Sequence, residues 1–286
     1  MPLYDLHGHP EPVAPTLVAA MDGWVDAGSS ATAAAAELIR AGERIVTFDP
    51  DALFDYRSRR PTLEIEDGRL ARLTWPELTI HQVRIDEQDL LVLSGAEPDD
   101  RWRQLTDELV DLARQLGVTH WISIGAIPAA VPHTRPVPIL GTESAPGILR
   151  GGVTAGPEGT LKVPSALISV LEKTVGDAGI PAVGYFAQIP HYVSGPYPAA
   201  SIELLRTVGR HLDTVLPEGL LGDEARALRN RLDAAAAVDE NTRAYVARLE
   251  SMVDESRLPS GADLIGEIER FLRDRGSEMG GGGRPN

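Results

Sequence analysis

The sequence predicts an α/β protein built on an open sheet with helices packed against it. Three patterns carry that prediction. Short apolar runs recur through residues 15–215, each bounded by Gly, Pro or Asx positions and too short for a helix. Longer segments with alanines or leucines at helical spacing lie between several of them. The first such set (17–21, 29–40 and 44–48) reads as a β-α-β unit, the building block of sheets whose strands are joined by helices.

In chain order, residues 17–21 form a buried strand that breaks at Gly23-Trp24-Val25-Asp26-Ala27-Gly28. An alanine-rich helix over 29–40 follows, with Ser29 or Ser30 placed to cap it and Gly42 to close it. Residues 44–48 are the second strand, and 49–61 a polar loop. Runs 62–65, 70–74 and 78–85 alternate as strands do. With Asp67-Gly68 as a turn they read as an antiparallel meander. Residues 89–93 add a strand. Asp99 or Asp100 is placed to cap the next helix, where Trp102, Leu105, Leu109, Leu112 and Leu116 recur before Gly117. Residues 118–124 return as a strand.

Residues 125–160 are rich in Pro and Gly, and a short strand over 137–140 makes them an ordered covering loop. A helix on Leu167, Val170, Leu171 and Thr174, a strand over 182–188 and a helix on Ile202, Leu205, Val208, Leu212 and Val215 complete the core. Pro198 suits the start of that last helix, where a missing N–H costs nothing. Pro217-Glu218-Gly219 marks a boundary. Beyond it Leu228 and Leu232, then Tyr245, Leu249 and Met252, then Leu264, Ile268 and Phe271 (capped by Ser260) mark three helices. The expected organisation is a core domain over 1–216, a helical extension over 217–276 and a disordered Gly-rich tail over 277–286.

Composition narrows the function. The chain has 286 residues and a formal net charge of −15, so nucleic acid and anionic membranes, which demand a basic face, are not expected partners. No apolar run approaches the length of a membrane span, and no secretory signal is visible. Cysteine is absent, which excludes disulfides, thiol chemistry and cysteine-ligated metal and makes a cytoplasmic location the simplest expectation. Residues 23–28 do not form a GxGxxG, and neither a GxxxxGK[ST] loop nor a GxSxG elbow is present. His7-Gly8-His9 is too slight a cluster to predict a metal, so no cofactor and no metal are expected.

Four apolar strands end in polar loops. These deliver Asp26, then Glu97, then His133 and Arg135, then His191 and Tyr192. Right-handed crossovers place all four loops on one edge of a parallel sheet, the edge where open α/β sheets bind ligands. Such a set suits acid–base chemistry. It equally suits structure: Asp26 and Glu97 can cap the helices that follow them, and Arg135 can pair with either carboxylate. Arg57 and Arg60 are candidate contacts for an anion, or solvated residues of a loop. Trp24, Trp102 and Trp121 read as core or interface aromatics.

The motifs in their order resemble the proteasome assembly chaperone 2 family in its actinobacterial, uncharacterised branch. They are Gly23 to Gly28, Tyr56-Arg57 with Arg60-Pro61, Gly95 to Pro98 with Trp102, Gly125 to Pro128 with Pro132 to Pro136, and Val183-Gly184 through Pro190-His191-Tyr192 to Pro196-Tyr197-Pro198. The resemblance implies a three-layer α/β/α fold with a phosphorylase/hydrolase-like mixed sheet. It implies a non-enzymatic protein-binding module that self-associates, with a trimer the expected homo-oligomer and proteasome subunits the expected partners. Chaperones of this kind dock through a C-terminal hydrophobic–Tyr–any motif, which Gly283-Arg284-Pro285-Asn286 does not match. The alternative expectation is an enzyme of hydrolase or ligase type, acting on a small anionic or nucleoside-like substrate at the strand-end cleft.

Overall fold

A computed structural model describes residues 2–157 and 159–256 of the chain. Its core is one mixed sheet. Strands β1 (Tyr4–Leu6), β2 (Thr16–Met21) and β3 (Glu43–Phe48) come first, with helix α1 (Ser30–Ile39) between the last two and the short α2 (Pro50–Leu53) after them. A small hairpin, β4 (Thr62–Glu66) and β5 (Arg69–Thr74), precedes β6 (Leu78–Ile85) and β7 (Gln88–Gly95). Helix α3 (Trp102–Gln115), β8 (His120–Ala129), β9 (Ile139–Glu143), α4 (Leu167–Asp177), β10 (Ala182–Pro190) and α5 (Pro198–Leu212) complete the core. Helices α6 (Leu221–Val238) and α7 (Glu240–Ser256) follow.

The eight-stranded sheet has the order β1-β3-β6-β7-β2-β8-β10-β9. Its centre, β7-β2-β8-β10, is wholly parallel. These strands are buried on both faces and accordingly read as near-continuous apolar runs. Alternation sorts their side chains. Leu17, Ala19 and Met21 of β2 join the layer packed under α3 and α4, whereas Val18 and Ala20 join the layer under α1 and α5. The arrangement is the predicted α/β/α sandwich. Trp121, fully buried in one layer, and Tyr185, fully buried in the other, are its largest side chains. Each such burial is worth roughly 1.5–3 kcal/mol.

Several local expectations need correction. Residues 4–6 form an edge strand that was too short to stand out. The expected meander does not form: β4 and β5 pair only with each other, and β6 pairs with β3 and β7. Trp75-Pro76-Glu77 interrupts the path, and Pro76 has no N–H to continue a ladder. Neither serine caps α1, for Ser29 sits at the cap position in the left-handed region without a side-chain bond. Neither Asp99 nor Asp100 caps α3; Asp99 instead accepts from the Asp55 amide at 3.0 Å. The helix expected around Leu264, Ile268 and Phe271, and the tail over 277–286, lie outside the described residues.

Candidate functional site

Parallel pairing puts the C-terminal ends of β2, β7, β8 and β10 at one edge, with the loops that carry the six candidate residues. The edge does not gather all six. Asp26 serves the start of α1: Oδ1 accepts from the Ala31 amide at 2.7 Å and the Thr32 amide at 3.3 Å, and Oδ2 from the Thr32 hydroxyl at 2.5 Å. Burial pushes the Asp26 carboxyl up from its ordinary value, and these three donors oppose the shift. Beside it the Ala126 amide donates to the Val25 carbonyl at 2.6 Å. That bond, with the parallel bridge between Asp26 and Ala126, extends the pairing of β2 and β8 past the end of β2.

Glu97 caps a helix, but not the one that follows it. Its Oε1 accepts at 2.7 Å from the Leu167 amide, the first of α4. Its own amide donates to Asp22 Oδ1 at 2.9 Å, and Asp22 is gripped by Arg59 through both oxygens at 2.8–2.9 Å. The arginine engaged from the 54–61 loop is therefore Arg59, while Arg57 and Arg60 stand exposed.

The other four residues do meet, and they meet the extension. Tyr192 Oη accepts from the His133 amide at 2.8 Å and lies 2.6 Å from His133 Nδ1. His133 Nε2 lies 3.1 Å from Asp233 of α6. The ring therefore bridges the Tyr192 phenol of the core and the Asp233 carboxylate of the extension through its two nitrogens. His191 makes a similar bridge. Its Nδ1–H donates to the Ala129 carbonyl at 3.0 Å, and its Nε2 lies 3.0 Å from Tyr245 Oη of α7. The rings of Tyr192, His191 and Tyr245 stack edge to face at 5.8–6.2 Å. Burial raises the Tyr192 phenol above its ordinary value, which keeps it a donor.

Arg135 was expected to pair with Glu97 or Asp26. It turns instead to α7, with Nε and Nη2 on Asp254 at 2.9 and 2.7 Å and Nη1 on Glu250 at 3.1 Å. Thr134 also donates to Glu250. Arg229 of α6 donates to the His133 carbonyl at 2.9 Å. Apolar contact anchors the same helices: Leu221, Val246 and Leu249 are buried, and Leu228 and Leu232 pack on the α1–α5 layer. The two proline-flanked loops are thus the seat of the C-terminal helices.

Sequence reasoning missed Arg229, Asp233, Tyr245, Glu250 and Asp254. They sit among many charges on amphipathic helices, and helical spacing alone does not say which of them point inward. Tyr197 carried a signal, since it lies between two prolines. It is 4% exposed, and burial pushes its phenol up to about 12. The described residues hold no cluster of three or more His, Cys, Asp or Glu able to ligate a metal, and no helix long and apolar enough to cross a membrane.

Comparison with solved structures gives close likenesses. A Corynebacterium glutamicum protein of unknown function is 33% identical, with a TM-score of 0.81 over 88% of this chain and 97% of its own. A proteasome-assembly chaperone homologue from Mycobacterium tuberculosis and a PAC2 family protein from Streptomyces avermitilis are each 35% identical, with TM-scores of 0.73 over 81% of this chain and 99% of theirs. PbaB of Pyrococcus furiosus, an archaeal proteasome activator, shares the fold at 12% identity and a TM-score of 0.64. Comparison with curated proteins finds no match. The family model of PAC2 matches residues 20–236, from the first central strand into α6, and the chain belongs to the PAC2 family.

Proposed function

We propose that this chain is a cytoplasmic, proteasome-assembly-chaperone-like binding module that self-associates and holds proteasome subunits without catalysing a reaction. One observation carries the reading: the strand-end polar groups are engaged within the chain, while large apolar side chains stand in solvent. Trp24, in the turn after β2, is 69% exposed. Leu63, Ile65, Leu70 and Leu73 pair across the β4–β5 hairpin on one face and are 45–72% exposed. A two-stranded hairpin is marginal alone, and a contiguous apolar face of this kind suits a protein partner.

The two features are linked through named contacts. Arg59 joins the 54–61 loop to Asp22 beside Trp24, and Tyr56 packs on Trp75 at the base of the hairpin with ring centroids 4.7 Å apart. Exposed tryptophan is the residue type most enriched among interface anchors. Purified proteasome α-subunits should co-elute with the chain, and Trp24→Ala should weaken that binding. Sedimentation velocity should give a trimer. Failure of every α-subunit to co-elute at micromolar concentration would refute the partner assignment.

A further inference from the structure

A pocket of about 420 Å³ lies between the extension and the core, bounded by α5, α6 and residues 133–137. Its volume falls in the range of about 300–1,000 Å³ typical of small-molecule sites. Val137, Ile202, Leu228 and Leu232 give it an apolar floor. Four arginines (Arg135, Arg206, Arg226 and Arg229) and two carboxylates (Glu203 and Glu218) also line it.

Every one of these charges is already paired: Arg135 with Glu250 and Asp254, Arg226 with Asp223, and Arg229 with Asp233. Glu218 is held by Arg206 through Nε and Nη2 at 2.7 and 3.2 Å, and Glu203 by Arg210 at 2.8 Å. The arginines keep donors in reserve. Arg206 uses Nε and Nη2 and leaves Nη1. Arg229 spends Nε on Asp233 and Nη1 on the His133 carbonyl and leaves Nη2. Tyr197 also lines the pocket and is 4% exposed, and among the described residues its hydroxyl has no hydrogen-bond partner. That hydroxyl keeps contact with solvent and offers a donor to a ligand acceptor.

The geometry points to a binding site for a small amphiphilic carboxylate, with its apolar body on Val137, Ile202, Leu228 and Leu232 and its carboxylate on Arg206, Arg229 and Tyr197. Arginine suits this role because its planar fork matches a carboxylate's two oxygens. The site is independent of the partner-binding surface, so its failure leaves that reading intact.

Decanoate titrated into the full chain by isothermal calorimetry tests the assignment, with decanol as the uncharged control. Saturable one-to-one binding is expected, weakened about tenfold for decanol. Ala225→Trp fills the pocket without touching an ion pair and should abolish binding. Tyr197→Phe should weaken binding severalfold, and circular dichroism melts confirm that each variant is folded. No saturable heat with decanoate, or binding unchanged in folded Ala225→Trp, overturns the site. Decanol binding as tightly as decanoate overturns the role of the arginines.

Discussion

His133 and Asp233, a hundred residues apart in the chain, are joined by a 3.1 Å hydrogen bond that ties the C-terminal helices to the end of the central sheet. His133 is 5% exposed, so its partners are fixed by burial as well as by geometry. Replacing His133 by Ala strips Tyr192 and Asp233 of a partner together and should cost about 1–3 kcal/mol. Asp233→Ala removes that bond and the carboxylate's half-exposed ion pair with Arg229, and should cost about 1 kcal/mol. Urea unfolding measures both. Hydrogen exchange of α6 amides should rise in each variant while that of β8 stays unchanged.

Glu172 of α4 is buried against Gly184. Its Oε1 accepts from Thr142 at 2.6 Å, while Oε2 is buried without a hydrogen-bond partner. Burial pushes this carboxyl up from its ordinary value; Thr142 and Ser123 oppose the shift, though Ser123 does not reach bonding geometry with Oε2. The folded state therefore holds the proton more tightly than the unfolded one, and stability falls as pH rises from the unfolded value through the raised one. Glu172→Gln should raise stability at pH 7 by about 1 kcal/mol. The gain should shrink as the pH is lowered toward the ordinary carboxylate range. Urea midpoints at the two pH values decide it, and no gain at pH 7 refutes the account.

His211 responds to pH in the opposite sense. Its Nδ1 lies 2.7 Å from Tyr185 Oη, which also accepts from the Arg150 amide. Burial, with Arg150 and His120 nearby, pushes the imidazole down from 6.5 to about 4. Stability held above 6.5 is lost as pH falls toward 4, because the unfolded chain takes up the proton first. His211→Gln should flatten stability between pH 6.5 and 4.5, read from urea midpoints across that window.

The apolar hairpin face makes a separate prediction. Ile65→Glu with Leu70→Glu places two like charges directly opposite each other on that face. Sedimentation should then show monomers, with the thermal midpoint little changed because both side chains are exposed. An unchanged sedimentation coefficient removes the hairpin from the interface.

Legibility in the sequence followed the range of the interactions. The strands at 17–21, 89–93, 118–124 and 182–188 stood out because burial on both faces demands unbroken apolar runs. The shared edge followed from the handedness of their crossovers. Glu97 was read as a possible cap for the next helix, yet it caps α4 seventy residues onward, a pairing that no local pattern encodes. Arg135 was placed among the right loops and given the wrong partners, because Glu250 and Asp254 reach it only through the fold of the extension. Asp26 was legible as a cap, and its competitors Ser29 and Ser30 lost to it. Ser29 takes a left-handed backbone that turns it out of the role, and Ser30 spends its hydroxyl on the Ala27 carbonyl.

The helices seated on His133, Arg135 and His191 also set a threshold for anything else that would use that edge. They are tethered to it through a short link after α5, so their effective concentration there is on the order of millimolar. A free partner at micromolar concentration must grip the edge about a thousandfold more tightly than the tethered helices do in order to displace them. The edge is therefore screened by competition in cis: a weak free binder is rejected, and a partner opens it either by gripping it that much more tightly or by engaging a second part of the surface as well.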